Sequence, residues 1–110
     1  MANIFKRKLS RDVGNVAVTI GNYTVSANTT VVVVGLTVCN TVGAAVNASI
    51  FINDGVDDTY ILKDAPIPGG GSIVAIGGDQ KVILEAGDSV QVISDATSSL
   101  DVTMSIMEIS

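Results

Sequence analysis

The 110-residue sequence contains no histidine, no tryptophan and a single cysteine. The absence of histidine excludes most nucleophile–base pairs and most zinc sites, because imidazole is their usual base or ligand. Cys39 cannot form an intramolecular disulfide, and its apolar surroundings in the sequence predict a small side chain in or near the core. We therefore expect no enzymatic activity, no catalytic residue, no cofactor and no metal.

Charged residues are scarce, at 15% of the sequence against about 25% in typical soluble domains. We expect part of the surface to be covered by copies of the chain or by a partner, with a neutral surface rich in Thr, Ser and Asn as the alternative. The longest apolar run, residues 31–36, is far shorter than the ~20 residues of a membrane helix. No apolar segment typical of a signal peptide follows the basic start.

The sequence does contain a series of short β-branched segments separated by Gly, Asn, Asp and Pro. Such a pattern, without helical periodicity, predicts an all-β fold, specifically an eight-stranded jelly-roll-like antiparallel β-sandwich with an extended N-terminal arm. The arm comprises residues 1–14 and the β-sandwich domain residues 15–110. The predicted strands are residues 15–25 (interrupted near 21–22), 29–40, 44–53, 58–63, 72–76, 80–86, 88–94 and 99–110.

Turn chemistry predicts the connections between these strands. Asn53-Asp54-Gly55 is the strongest hairpin signal, and tight turns are expected at residues 77–79 and 87–88. Prolines 66 and 68 cannot donate ladder hydrogen bonds, so we expect a loop over residues 64–71. The valines at 31–34 predict burial on both faces, either at the centre of a sheet or under a subunit interface.

Two loops contain residue types that bind calcium or phosphate in other proteins, but neither matches a known ligand-binding motif. The acids of residues 53–58 could offer oxygen ligands to calcium, but their spacing differs from known calcium loops, and we expect a solvated hairpin tip. The glycine run at 69–71 lacks the Lys-Ser/Thr ending of a phosphate loop and precedes a strand, which predicts a flexible connection.

Charge is unevenly distributed along the chain. The first eleven residues hold no acid, whereas the rest holds all 11 acids and only two of the 6 basic residues. An acidic body repels phosphate and aromatic stacking platforms are missing, so we expect no direct binding of nucleic acid. The segment is also too short for an amphipathic membrane helix, so we expect no membrane binding.

Two interpretations of the basic segment remain, a mobile solvated tail and an arm that docks on an acidic protein surface. We favour the arm, because apolar side chains would anchor it while the basic groups provide attraction and orientation. The residues that we assign to partner binding are Ile4, Phe5, Lys6, Arg7, Lys8, Leu9 and Arg11.

Four stretches, in order, span nearly the whole chain: NIFKRKLS, IGNYTVSANTTVVVVGLTVCNT, DTYILKDAPIPGGGSIVAIGGDQKVILEAGDSVQVIS and VTMSIMEIS. With them the sequence resembles small virion structural proteins of tailed bacteriophages, cyanophages included. The resemblance implies a non-enzymatic β-sandwich that binds the major capsid protein or another virion protein.

From this resemblance and the low charge we expect a capsid decoration (cement) protein that binds and stabilises the major capsid protein shell. It would be a homo-oligomer, with a trimer favoured, on the capsid surface of the virion, made in the host bacterial cytoplasm. One alternative is a neck, tail or baseplate component, and a second is a carbohydrate-binding module for host attachment.

Overall fold

The computed structural model describes residues 3–77 and 79–109, and within these ranges the regular structure consists of nine β-strands. Four residues lie outside this description: Met1 and Ala2 of the predicted arm, Gly78 of a predicted turn and Ser110 of the predicted last strand. The strands are β1 Asn3–Val13, β2 Val18–Thr24, β3 Thr30–Asn40, β4 Val46–Asn53, β5 Asp58–Ile67, β6 Ser72–Ile76, β7 Val82–Leu84, β8 Ser89–Ser94 and β9 Leu100–Ile109.

The strands form two antiparallel sheets. Sheet A has the order β1-β9-β3-β6, with β7 also paired to β3, and sheet B has the order β2-β8-β4-β5. One lateral edge of the sandwich brings β1 beside β2, and the opposite edge brings β6 beside β5. Most consecutive strands cross between the sheets as they do in a jelly roll, the exceptions being the β4–β5 hairpin in sheet B and β6 and β7 in sheet A. The predicted all-β sandwich is confirmed.

The extended N-terminal arm is strand β1, which lies along β9. Their pairing runs from Asn3 opposite Ile109 to Ser10 opposite Val102, and it resumes at Val13 after a bulge. The bulge includes Asp12, whose φ of 55° is unusual for a residue with a side chain. As a result, β9 lies between β1 and β3 in the middle of sheet A.

Strands β6 and β7 are two pieces of one edge strand. Ile76 of β6 pairs with Leu36, and Val82 of β7 pairs with Val33, so both pieces run antiparallel to β3 in the same direction. The turn predicted at 77–79 is supported by a 3.2 Å hydrogen bond from the amide of Gln80 to the carbonyl of Gly77. It does not form a hairpin, however, because β6 and β7 pair with β3 and not with each other. The inner apolar side chains of both pieces, Ile76 and Leu84, are buried and keep them on β3. The nine strands thus fill eight positions of the sandwich.

The loop predicted over residues 64–71 was wrong in its first half, because β5 continues to Ile67. Pro66 lies within this strand, opposite Asn47. Strand β5 is at the edge of sheet B. An edge strand tolerates proline because some of its amides have no ladder partner to lose.

Aliphatic side chains from both sheets fill the space between them, as the alternation of the sequence predicted. In β3, Val31 and Val33 are fully buried, whereas Val32 and Val34 are half-buried on the opposite face. Burial of this kind supplies roughly 25 cal/mol per Å² of apolar surface and is the main source of stability. The innermost side chains include Ile20, Leu36, Ile50, Ile67, Ile76, Leu84, Leu100, Met104 and Ile106.

A buried amide organises one end of the sandwich. The side chain of Asn40 donates hydrogen bonds to the carbonyls of Ala44 (2.9 Å), Ile67 (3.0 Å) and Pro68 (3.2 Å). Its Oδ1 accepts one from the amide of Val42 (3.0 Å). Every polar atom of this fully buried side chain is used, so Asn40 holds two loops together without an unpaired polar group.

The glycine run lies in one of these two loops. A Cβ at Gly69 would be 2.4 Å from the carbonyl oxygen of Gly43, so only glycine allows the two backbones to approach this closely. At Gly69, the run therefore packs against the loop that contains Gly43. Its sequence had predicted a flexible connection.

Candidate binding surface

The seven residues predicted to bind a partner all lie on β1, and the strand's pleat divides them between two faces of sheet A. Lys6 and Lys8 are paired with the buried residues Ile106 and Met104, so they share the inner face. Ile4 belongs to this face by alternation. Phe5, Arg7 and Leu9 are paired with Met107, Ser105 and Thr103 and share the outer face. Arg11 lies in the bulge.

On the inner side, the two lysines belong to a small group of side chains that we call the Glu108 cluster. Its members are Lys6, Lys8, Tyr23 and Glu108. Lys6 Nζ is 3.0 Å from Glu108 Oε1, and the Tyr23 hydroxyl donates a hydrogen bond to Glu108 Oε2. Lys8 Nζ lies 4.6 Å from the centroid of the Tyr23 ring, within cation–π distance. The cluster joins β1, β2 and β9 and engages both lysines.

These contacts fix the charge states of the cluster. The hydrogen bonds from Tyr23 and Lys6 hold the pKa of Glu108 below its ordinary value. Burial, followed by the hydrogen bond to Glu108, raises the pKa of Tyr23 well above its ordinary value. At neutral pH, Glu108 is therefore an anion and Tyr23 a protonated donor, which is the combination that the geometry requires.

Strand β2 also packs closely against β1. A Cβ at Gly21 would be 2.7 Å from the Cβ of Lys8, and Gly21 has a φ of +61°. Its amide donates a 2.9 Å hydrogen bond to the Ser10 hydroxyl. The inner side of β1 is therefore held by β2 as well as by β9.

The outer face of sheet A carries an apolar row that crosses all four strand positions. Phe5 is paired with Met107, Met107 with Val32, and Val32 with Ile83. Such side chains are close neighbours on one face of a sheet. Phe5 and Ile83, the two ends of this first row, are 73% and 57% exposed.

A second row crosses the same face further along the strands. Leu9 is paired with Thr103, Thr103 with Thr37, and Thr37 with Val74. Its ends, Leu9 and Val74, are again apolar and exposed, and its middle is polar. Arg7 lies between the two rows on β1.

The predicted partner-binding residues included Phe5, Arg7 and Leu9, and the valines at 31–34 were predicted to lie at the centre of a sheet or under a subunit interface. Met107, Ile83 and Val74 were missed. One local signal was present, since Met107 occupies a position of β9 where alternation places polar residues. The other two could not be recognised without knowing which strands pair.

Two open grooves flank the bulge in β1. One of about 530 Å³ lies at the junction of β1 and β2 and includes Arg11, Val16 and Thr19 in its wall. The other, of about 230 Å³, lies on the side of β9 and includes Asp101 and Thr103. Within the described residues, no group of three or more His, Cys, Asp or Glu residues is placed to hold a metal ion.

The acidic hairpin tip uses its oxygens internally. Asp54 Oδ1 accepts hydrogen bonds from the amides of Asp57 (2.8 Å) and Val56 (2.9 Å), and these bonds lower the pKa of Asp54. Asp58 accepts a 2.6 Å bond from the Asn53 side chain. The hairpin predicted at Asn53-Asp54-Gly55 is confirmed, with a connection over residues 54–57.

The aromatic side chains do not form a common platform. Phe51 is only 5% exposed and packs against Tyr60, with ring centroids 5.2 Å apart. Tyr23 belongs to the Glu108 cluster. The exposed rings, Phe5 and Tyr60, lie at opposite edges of the sandwich. No helix in the described part of the chain is long and apolar enough to cross a membrane.

Comparison with known proteins gives structural similarities of low degree. No family model and no curated protein match the chain. Two crystal structures of a pentameric capsid protein isolated from metagenomic phage sequences are 21% and 18% identical, with TM-scores of 0.44 and 0.45. They cover 94% of this chain, which spans only 59% and 60% of theirs.

A third similar structure is the cryo-EM structure of the virus-like particle of the extra small virus of the giant freshwater prawn Macrobrachium rosenbergii. It is 11% identical, with a TM-score of 0.44, and the match covers 98% of this chain and 79% of the viral chain. With TM-scores under 0.5, these likenesses do not place the chain in a family.

Proposed function

We propose that this protein is a non-enzymatic structural protein of a phage virion, specifically a capsid decoration protein that binds and stabilises the major capsid protein shell. It would be made in the host bacterial cytoplasm and act on the outer surface of the capsid. The proposal builds on the resemblance of its sequence to small virion proteins. The observation that carries it is the apolar row from Phe5 to Ile83 on the outer face of sheet A.

An exposed apolar row on a small, charge-poor sandwich favours a protein partner. Single exposed apolar residues are common on soluble proteins, but contiguous ones mark interaction sites. The principal-axis extents of the domain are 45 × 28 × 20 Å, so its broad face exceeds the roughly 800 Å² that one partner contributes to a stable interface.

The basic groups of β1 supply the electrostatic part of the contact. Lys6 and Lys8 are engaged by the Glu108 cluster, whereas Arg7 and Arg11 form no ion pair within the described residues. We infer that Arg11 attracts an acidic patch of the shell, while the middle of the apolar row, Met107 and Val32, provides affinity that does not depend on charge. High salt should therefore weaken attachment only in part.

Location in the particle tests this proposal. We expect the protein on DNA-filled heads that lack tails, in hundreds of copies per particle by quantitative mass spectrometry. Its absence from tailless heads would contradict the proposal. A copy number between six and a few tens, with the protein confined to the tail, would favour the neck, tail or baseplate alternative.

A surface variant tests the role of the face. Met107→Glu places a charge in the middle of the first row and should reduce attachment to heads at least tenfold. Ala27→Glu is the matched control, because Ala27 is exposed in the turn between β2 and β3, outside the strands of both sheets. Equal attachment of both folded variants would sink the assignment of this face.

The carbohydrate-binding alternative has less support, because sugar sites usually combine neighbouring aromatic rings. Binding of glycans in an array that is lost on Tyr60→Ala, with attachment to heads absent, would favour it over a capsid role.

A further inference from the structure

The exposed apolar side chains of this domain are confined to its two lateral edges. In the described part of the chain, every large apolar residue with an exposed side chain lies on β1, β2 or their connection, or on β5, β6, β7 or the hairpin tip. At the first edge these are Ile4, Phe5, Leu9, Val16 and Val18, and at the second edge Val56, Tyr60, Val74 and Ile83.

The same two edges carry opposite charge. The first, which we call the basic edge, holds all four basic residues of β1 and one acid, Asp12. The second, the acidic edge, consists of β5, the hairpin tip, β6, β7, the connection between β6 and β7, and Glu85 directly after β7. Its acids are Asp54, Asp57, Asp58, Asp64, Asp79 and Glu85, and its bases are Lys63 and Lys81.

The rows of sheet A also place matching groups at the same level along the strands. The first row ends in Phe5 at the basic edge and in Ile83 at the acidic edge. The second row ends in Leu9 and Val74. Between these rows, the basic edge presents Arg7.

At the acidic edge, Asp79 lies between Val74 and Ile83 in the chain, exposed in the connection from β6 to β7. Along its length, each edge therefore presents an apolar side chain, then a charged one, then another apolar one. The charged side chains of the two edges have opposite sign.

We propose that a second copy of this chain docks head to tail, with the basic edge of one copy against the acidic edge of the next. Phe5 and Leu9 of the first copy would then pack on Ile83 and Val74 of the second, with Arg7 beside Asp79. When the second copy is related to the first by rotation about an axis roughly parallel to the strands, the paired side chains stay at the same height along that axis. The inference is independent of the proposed capsid role, because it concerns the purified protein.

The contact joins two different surfaces, so it is heterologous and propagates until the copies close a ring or form an open chain. A trimer is the smallest ring that it can close, since a two-fold axis makes only contacts between identical surfaces. Charge at the centre of the contact fixes its direction, because two basic edges repel each other.

Charge reversal of one pair tests the proposal. In sedimentation velocity from 1 to 200 µM, we expect the wild-type protein to form oligomers larger than a dimer. Arg7→Glu and Asp79→Arg should each weaken association at least tenfold, and the double variant should recover most of it. Mixing the two single variants should also restore oligomers, because each supplies the edge that the other one needs.

Ala27→Glu is the matched control, since it adds a negative charge at an exposed turn between β2 and β3, outside both edges. It should associate as the wild type does. A wild-type protein that stays monomeric at 200 µM would overturn the proposal, whether or not it binds heads. A double variant that remains as dissociated as the single variants would overturn it too, and would assign the two edges to other partners.

Discussion

Lys6 on β1 and Glu108 on β9 form an ion pair of 3.0 Å that ties the first strand of the chain to the last. The hydroxyl of Tyr23 donates to the same carboxylate, so β2 takes part in the contact. A basic segment that looked available for a partner is therefore fastened partly by the acidic body of its own chain. Its outward side chains, Phe5, Arg7 and Leu9, are held in fixed positions as a result.

The ion pair makes stability depend on pH. The folded-state pKa of Glu108 is lower than its value in the unfolded chain, about 4.3. The anion therefore contributes stability above that pH, and the contribution is lost as pH falls through the folded-state pKa. Glu108→Gln should lower the free energy of unfolding at pH 7 by about 1 kcal/mol. The expected loss is small because an ion pair that is partly exposed to solvent contributes less than a buried one.

Urea unfolding at pH 7 and at pH 3 measures this difference. We expect the difference in the free energy of unfolding between the wild type and Glu108→Gln to narrow at pH 3, because this pH lies below the ordinary pKa of the carboxyl and the unfolded chain is protonated there. If the two proteins differ by the same free energy of unfolding at both pH values, the charge of Glu108 contributes nothing to stability.

The buried amide of Asn40 is expected to be among the most sensitive positions. Asn40→Ala leaves the carbonyls of Ala44, Ile67 and Pro68 without their donor in a buried environment, and it opens a cavity. We expect a loss of about 3 kcal/mol in the free energy of unfolding. Asn47→Ala, at an exposed position of β4, should change it by less than about 0.5 kcal/mol.

Gly69 and Gly43 offer a matched pair of substitutions in two loops that touch. Gly69→Ala would place a Cβ 2.4 Å from a backbone oxygen and should destabilise the fold by about 2 kcal/mol or more. Gly43→Ala meets nothing within 4 Å and should be neutral or slightly stabilising. Thermal unfolding of the two variants compares them directly, and similar melting temperatures would argue against the close approach of these loops.

Removing residues 2–11 should destabilise the domain as well as weaken partner binding. Without β1, one edge of β9 loses its hydrogen-bond partner, and the inner side of the sandwich near Met104 and Ile106 is uncovered. We expect the loss to be a large part of the roughly 5–15 kcal/mol that holds a typical domain together. Circular dichroism and urea unfolding provide the measurement.

The variant Arg7→Gln/Arg11→Gln separates charge from strand pairing, because it keeps β1 intact. It should unfold at nearly the wild-type urea concentration. A truncated chain that is as stable as this variant would show that β1 adds little to the fold.

The fold class could be predicted from sequence because its signals are local. Alternation in β9, from Leu100 to Ile106, and the turn chemistry of residues 53–55 depend only on neighbours in the chain. Where the prediction was wrong, the deciding contacts were distant. The turn at 77–79 was predicted to join two neighbouring strands, but the pairing of Ile76 and Val82 with β3 makes both pieces run in the same direction.

The candidate surface was predictable only in part for the same reason. Phe5, Arg7 and Leu9 stand out because they lie in a basic segment of an acidic chain. Ile83 and Val74 look like ordinary strand residues, and only the register of four strands brings them onto rows with Phe5 and Leu9. Periodicity also could not reveal that Lys6 and Lys8 face inward, since Glu108 and Tyr23 reach them from other strands.

The central position of β9 in sheet A has a consequence for how the chain folds during synthesis. This strand follows the eight others in the chain, yet β1 and β3 are not paired with each other and are joined in sheet A only through it. Sheet A can therefore close only after translation has passed β9. Until then β1, with Phe5 and its basic neighbours, lacks its main partner strand, so the surface that we propose for assembly forms only on chains that are complete through β9.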